Sequence, residues 1–182
     1  MLKKLRQNKG QGLVETLIAI GIIVVGLVGV MALVISAVAA GRISKEVVTA
    51  TNLGREGIEV VREIRDSNWM QEESWTKGII GGGNVRYARA NFNPKENQWK
   101  LESTTTTDLF DNEYKLYFSD YYNHDRQGDE TSYFRMIEIQ KDIAEPDELI
   151  IKTHVGWIEQ GKQKEIVLEN VFSDWLTKRE VE

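Results

Sequence analysis

The sequence contains no cysteine and only two histidines. Without cysteine the chain forms no disulfide, no cysteine zinc site and no thiol nucleophile, and it says nothing about the redox state of its compartment. It also lacks the Gly-x-Ser-x-Gly and His-Glu-x-x-His patterns of common hydrolases. His154 alternates with apolar strand residues, and we interpret it as an exposed sheet position. We expect no enzymatic activity, no catalytic residue, no metal site and no cofactor.

Charged residues are missing from Thr16 to Gly41. A bilayer core is about 30 Å thick and needs roughly 20 apolar residues in a helix, so residues 17–40 are long enough to cross it. The first ten residues are basic and contain no acidic side chain; their charges come from Lys3, Lys4, Arg6 and Lys9. This asymmetry predicts a cytoplasmic N-terminus and an extracytoplasmic position for the chain beyond Gly41.

A conventional cleaved secretory signal is the alternative interpretation of this segment. Such signals have apolar regions of about 7–15 residues that end at small residues. The apolar run here is longer, and the small residues at 36–41 lead into a further helical pattern. The net charge is −5, and loss of the four basic leader charges makes the remaining chain more acidic. This sign disfavours nucleic acid as the main partner.

A helical pattern continues beyond the apolar run. Small and apolar residues recur at alternating spacings of three and four, which places them on one face of a helix: Ile43, Val47, Ala50, Gly54, Gly57 or Ile58, Val61 and Ile64. Residues on the other faces predict two ion pairs, Arg55 with Glu59 and Arg62 with Asp66. We expect one helix over 11–68, transmembrane at about 17–40 and amphipathic at 42–68.

The remainder, 69–182, has the pattern of a β-rich globular head. Alternation over 149–158, a turn at 159–162 and a return at 165–172 predict a hairpin. Further strands are predicted at 85–92, 114–119 and 133–140, and loops at 81–84, 91–97, 103–108 and 120–131. The predicted fold class is therefore α+β, with a long N-terminal helix packed on an antiparallel sheet.

Two of the loops contain residues with further chemical capacity. The loop 120–131 carries oxygen donors at Asp120, Asn123, Asp125, Asp129 and Glu130. Calcium uses such ligands, but this spacing does not match an EF-hand loop, and a solvated loop is the preferred interpretation. The threonines of 103–108 offer candidate glycosylation positions. The tryptophans are expected to fill the core of the head or its interface with the helix.

The residues from Lys9 to Ile18, KGQGLVETLI, resemble the type IV prepilin signal. In that family a short basic leader ends in glycine, and an apolar stretch with glutamate at its fifth position follows. The resemblance implies that prepilin peptidase cleaves between Gly10 and Gln11, and that Gln11 is the candidate for N-methylation. It also makes Glu15 the fifth residue of the mature chain. Glycine at the cleavage position permits close approach to the backbone.

Glu15 lies at the border of the uncharged stretch, where a carboxylate is costly unless it is paired. The resemblance implies that its partner is the new Gln11 amine of a neighbouring subunit in the filament. The alternative is that Glu15 remains at the water interface, where the N-terminal end of a helix favours a negative charge.

A second resemblance covers 55–69 and the final hairpin, which are similar to minor pilins of the pilin V type and to pseudopilins. Three features depart from the family pattern. Gln11 replaces the usual phenylalanine or methionine, Ala32 stands where many pilins have a helix-kinking proline, and no C-terminal disulfide is available. The missing disulfide favours a minor pilin or a pseudopilin over a major pilin.

The resemblance implies a structural subunit of a type IV pilus, which waits in the cytoplasmic membrane and then enters an extracellular filament through its helix. The implied partners are other pilin subunits, prepilin peptidase, the assembly platform and the membrane. A pseudopilin of a type II secretion system is one alternative. A single-span membrane protein with an extracytoplasmic binding head is another, of a different class.

Overall fold

The structure is a computed structural model that describes residues 11–126, 128–141 and 147–176. Within these residues one long helix precedes seven strands of a single antiparallel sheet, which confirms the predicted α+β fold. The elements are α1 (Gln11–Met70), β1 (Val85–Asn93), β2 (Gln98–Ser103), a 3₁₀ turn (Asn112–Tyr114), β3 (Lys115–Phe118), β4 (Tyr122–Asn123), β5 (Asp129–Lys141), β6 (Glu148–Glu159) and β7 (Lys162–Ser173).

The chain forms two compact units that divide inside α1, between Lys45 and Glu46. The part of α1 from Glu46 onward therefore belongs to the same unit as the sheet. We use the name head for this second unit.

Strand β5 is the centre of the sheet. One of its edges pairs with β3 and β1, and the other pairs with β6 along nine residues from Tyr133 to Lys141. The outer strands form two hairpins, β1 with β2 and β6 with β7. The β6–β7 hairpin is the one that alternation in the sequence predicted, and its two strands end and begin at Glu159 and Lys162.

The main core lies between α1 and one face of the sheet. Alternate residues of β5 and β6 face the helix, so that Ile137 and Ile151 pack with Val61 in one fully buried cluster. Burial of such side chains stabilises the fold by about 1.5–3 kcal/mol each. This arrangement explains why the second part of α1 is amphipathic.

The buried helix face begins later than the sequence pattern predicted. Ile43 and Val47 remain 46% and 39% exposed, whereas Ala50 is fully buried against the cluster of Tyr133 and Trp157. The apolar periodicity extends through positions that the sheet does not cover. Periodicity alone therefore could not locate the first covered turn.

Two glycines bring the helix close to the β6–β7 hairpin. A Cβ atom on Gly57 would lie 2.7 Å from Thr153 Cγ2, and one on Gly54 would lie 2.7 Å from Leu168 Cδ1. Both distances are well inside van der Waals contact. The absence of a side chain at these positions is therefore what allows the two elements to approach.

The opposite face of the sheet is covered near its middle by the segment 104–114. Leu109 and Tyr114 bury Phe134 and Met136 of β5. The hydroxyl of Tyr114 bonds with Thr104 and donates to the carbonyl of Thr106. The threonine run is thus a loop, as predicted, but part of it is fixed to this second core.

Several local predictions were wrong. Strand β2 was not predicted, β4 lies inside the predicted loop 120–131, and β5 begins at Asp129 instead of residue 133. Strand β4 has only two residues and the start of β5 is polar, so pairing with neighbours, and not alternation, makes these residues extended. The observed helix ion pairs are Arg62 with Glu59 and Arg65 with Asp66.

Candidate functional site

The N-terminal part of α1 is an apolar surface. Its large side chains between Leu13 and Val38 are 52–73% exposed. Within the described residues, α1 is the one helix long and apolar enough to cross a membrane. A helix satisfies its own backbone hydrogen bonds, which makes such a segment compatible with lipid.

Of the three predicted site residues, Gln11 and Glu15 lie at the start of this helix. Gly10 lies outside the described residues, and Gln11 is the first residue of α1. Glu15 is exposed and follows Gln11 by four residues, which places the two positions on the same side of the helix. The next hydroxyl, Thr16 Oγ1, donates to the Gly12 carbonyl oxygen at 2.7 Å. Between Gly12 and Gly41, Glu15 is the single charged residue in the sequence of this helix.

The head contains a buried charge on β5. The Arg135 side chain is fully buried, and its Nη1 atom lies 3.1 Å from Glu56 Oε1 and 3.4 Å from the Leu53 carbonyl oxygen. Its Nε and Nη2 atoms have no hydrogen-bond partner among the described residues. The guanidinium thus connects the central strand to α1 and depends on Glu56 for charge compensation.

Burial shifts the pKa of two further side chains in the head, His124 and Tyr133. Burial and the nearby positive charge of Arg135 lower the pKa of His124 well below its ordinary value. The His124 Nδ1 atom lies 3.1 Å from the Lys115 carbonyl oxygen, an arrangement that suits a neutral ring with a proton on Nδ1. Burial and the hydrogen bond to Glu46 raise the pKa of Tyr133, so this phenol remains protonated and donates to the carboxylate.

His154 is not an exposed sheet residue as predicted. Its ring is mostly buried between two carboxylates, with Nδ1 2.7 Å from Glu165 Oε1 and Nε2 3.1 Å from Glu138 Oε2. A neutral ring donates to one of them, and a protonated ring donates to both. Among the described residues, no group of three or more His, Asp or Glu side chains is arranged to hold a metal ion.

A groove of about 360 Å³ lies in the head between the last turns of α1, the loop after it and β2. Its lining is a mixture of aromatic, amide and charged groups: Glu63, Ile64, Ser67, Asn68, Gln71, Glu73, Lys77, Gly78, Gln98, Trp99, Lys100 and Leu101. The sequence contained one signal for its strand wall, the alternation of Trp99 and Leu101 with polar residues. That signal is short, and it does not predict this site.

Comparison with family models, with curated proteins and with solved structures finds no match to this chain. The likeness that remains is architectural. A long helix, apolar in its N-terminal part, is followed by a β-rich head, and this order of elements is pilin-like.

Proposed function

We propose that the chain is the precursor of a minor pilin, a structural subunit of a type IV pilus or a related filament. The observation that carries the proposal is the combination at the N-terminus. A basic leader ends at Gly10, Glu15 follows five residues later, and the apolar helix surface from Gly12 to Gly41 is exposed. The head begins within the same helix.

Processing gives Glu15 its role in this proposal. Prepilin peptidase cuts after Gly10 and leaves a free amine on Gln11, which is then a candidate for methylation. When apolar helices of several subunits pack together, the Glu15 carboxylate leaves water and requires a positive partner. The Gln11 amine of a neighbouring subunit supplies that charge, so each correctly placed subunit neutralises the Glu15 carboxylate of the next one.

The proposed life of the subunit has two stages. It first spans the cytoplasmic membrane once, with its head outside the cytoplasm. The assembly platform then moves it into an extracellular filament in which the helices are inside and the heads face outward. Its partners are other pilin subunits, the peptidase, the platform and the membrane.

The first test measures processing. Intact-mass analysis of the membrane protein should find a mature chain that begins at Gln11, and Gly10→Val should give an inserted but uncut chain. Insertion depends on the apolar run, whereas cleavage depends on access to one peptide bond. Mature protein that begins at another residue contradicts the proposed processing.

The second test measures assembly as the ratio of sheared filament protein to membrane-retained protein. Glu15→Leu should leave cleavage, insertion and the head unchanged but reduce this ratio, because removal of one member of a buried ion pair costs about 3–5 kcal/mol. Glu15→Asp is the matched control that keeps the charge, and it should retain more assembly than Glu15→Leu.

The same measurements separate the alternatives. A plain single-span anchor predicts no leader cleavage at Gln11 and no change on substitution of Glu15. A type II secretion pseudopilin predicts the same processing and the same Glu15 dependence, and it is distinguished by genes for a secretion system beside this one.

A further inference from the structure

The groove at the end of α1 has features of a preformed binding site. We propose that it binds a neutral saccharide chain, with Trp99 as the stacking surface and Gln71 and Gln98 as hydrogen-bonding partners of the sugar hydroxyls. All of its lining residues belong to the head. A test of saccharide binding therefore does not depend on filament assembly.

The walls of the groove are fixed by Arg86, which lies behind them on β1. Its Nη1 atom donates to the Gly78 and Ile79 carbonyl oxygens at 2.7 Å each, and Nη2 donates to the Leu101 carbonyl oxygen at 2.6 Å. Gly78 and Leu101 both line the groove, the first from the loop and the second from β2. One guanidinium therefore holds the two walls at a constant separation.

Asn68 fixes the loop wall from the helix side. Its Nδ2 atom donates to the Trp75 carbonyl oxygen at 3.2 Å and to the Lys77 carbonyl oxygen at 2.8 Å. A loop whose backbone is held by such contacts loses little freedom when a ligand binds, which lowers the cost of binding. Asn68 and Arg86 thus hold the loop wall in place over residues 75–79.

The charges of the groove favour an uncharged ligand. Its lining contains two glutamates and two lysines, which cancel formally. Lys77 forms an ion pair with Glu73, and Lys100 forms one with Glu96. When Arg86 behind the walls and Glu96 beside Lys100 are included, three basic and three acidic side chains still cancel. A phosphate or a nucleic-acid backbone therefore finds no surplus of positive charge here.

The aromatic side chains favour a ligand with flat apolar faces. The Trp99 ring lies 5.3 Å from the ring of Phe92, and Phe92 lies 5.9 Å from Tyr121, measured between centroids. Tyr121 is 39% exposed. These ring pairs are tilted by 58° and 80°, so they do not form one flat platform. Trp99 packs partly against the main core and lines the groove. Tyr121 adds an exposed ring outside the groove, which suits a chain of several sugar units better than a single small molecule.

The amides complete the chemical match. Gln71 and Gln98 are exposed at the groove, and each amide supplies two donors and an acceptor. Sugars combine hydroxyl groups, which require both donors and acceptors, with C–H faces that pack on aromatic rings. A purely apolar peptide would form no hydrogen bond with these amides and would gain nothing from them.

The test uses the full chain in lipid nanodiscs and isothermal titration calorimetry. The probes are cellotetraose, maltotetraose and N-acetylchitotetraose, with tetragalacturonate and a thymidine octanucleotide as anionic comparisons. We expect at least one neutral probe to bind. Gln71→Ala and Gln98→Ala should each weaken that binding by about fivefold, which corresponds to the loss of one hydrogen bond of about 1 kcal/mol.

The matched control is Gln163→Ala, an exposed amide on β7 outside the groove, and it should leave the dissociation constant unchanged. Trp99→Leu should abolish binding, with near-ultraviolet circular dichroism used to verify that the head is folded. No binding of any neutral probe up to about 10 mM overturns the proposal. Preference for either anionic probe, or equal effects of Gln71→Ala and Gln163→Ala, also overturns it.

Discussion

The Arg135 guanidinium and the Glu56 carboxylate join the central strand of the sheet to α1, with Nη1 and Oε1 3.1 Å apart. Arg135 is fully buried, whereas the Glu56 side chain is 35% exposed. The two partners therefore differ in what their removal leaves behind. Loss of Glu56 leaves a buried positive charge, and loss of Arg135 leaves a carboxylate that can reach water.

We expect Glu56→Ala to destabilise the head by about 3 kcal/mol, near the lower end of the range for a broken buried pair because Glu56 is partly exposed. Arg135→Met should cost less, since an apolar side chain of similar length suits this site. The five tryptophans all lie in the head, so thermal melting followed by near-ultraviolet circular dichroism measures this unit. A larger loss for Arg135→Met than for Glu56→Ala contradicts the argument.

Gly57 is predicted to be sensitive to the smallest possible substitution. In Gly57→Ala the new Cβ atom meets Thr153 Cγ2 at 2.7 Å, and Thr153 is fully buried on β6, so the helix or the strand has to move. Overpacking of this kind costs about 1–3 kcal/mol. Gly41→Ala is the matched control, because its Cβ atom has no neighbour within 4 Å. That control should keep the melting temperature or raise it.

His124 predicts a loss of stability in weak acid. Its pKa is lowered in the folded head by burial and by Arg135, so the unfolded chain binds a proton more readily. Stability is fully present above the unfolded pKa of about 6.5 and falls as the pH decreases toward the folded pKa, by up to about 1.4 kcal/mol per pH unit. His124→Asn retains an N–H donor without this titration.

The measurement is the melting temperature of wild type and His124→Asn between pH 7.5 and 5, values chosen to cover the window about the ordinary pKa of histidine. The wild-type curve should fall more steeply over this range. Parallel curves for the two proteins would falsify the assignment of His124 as a buried neutral ring.

The position of the first covered helix turn predicts the outcome of truncation. A chain that begins at Arg42 keeps every helix residue of the main core, from Ala50 onward, and should be soluble and folded. A chain that begins at Trp69 lacks Leu53, Ile58 and Val61, which are all buried, and should aggregate. Size-exclusion chromatography and far-ultraviolet circular dichroism compare the two. The packing assignment fails if the shorter chain is the better folded one.

Sequence periodicity was sufficient to predict the elements that bury a continuous apolar face. The helix and the β6–β7 hairpin repeat their apolar residues at the spacing of their own geometry, so they were found with small errors at their ends. Strand β4 and the first residues of β5 are extended because β3 pairs with them. Nothing in their own composition predicts this pairing.

The candidate sites also differ in how well the sequence predicts them. Glu15 is visible in the sequence because one charge interrupts an apolar run. The groove depends on Arg86 and Asn68, which hold carbonyl groups of segments that are distant from their own strand and helix turn. Such contacts arise only after β1, β2 and the loop have come together, and they leave no local pattern.

The close contacts of α1 with the final hairpin also determine when the head can form during biosynthesis. Gly57 and Gly54 meet Thr153 and Leu168, which belong to the last two strands. The ribosome synthesises the helix before the sheet. The apolar face of the helix therefore has no strands to pack against until β6 and β7 have been synthesised. Contacts between segments so distant in sequence form slowly. Until they form, apolar surface remains exposed and prone to aggregation. The apolar helix face therefore stays uncovered until the final hairpin has been synthesised, so a chain that stops before β6 cannot complete the main core.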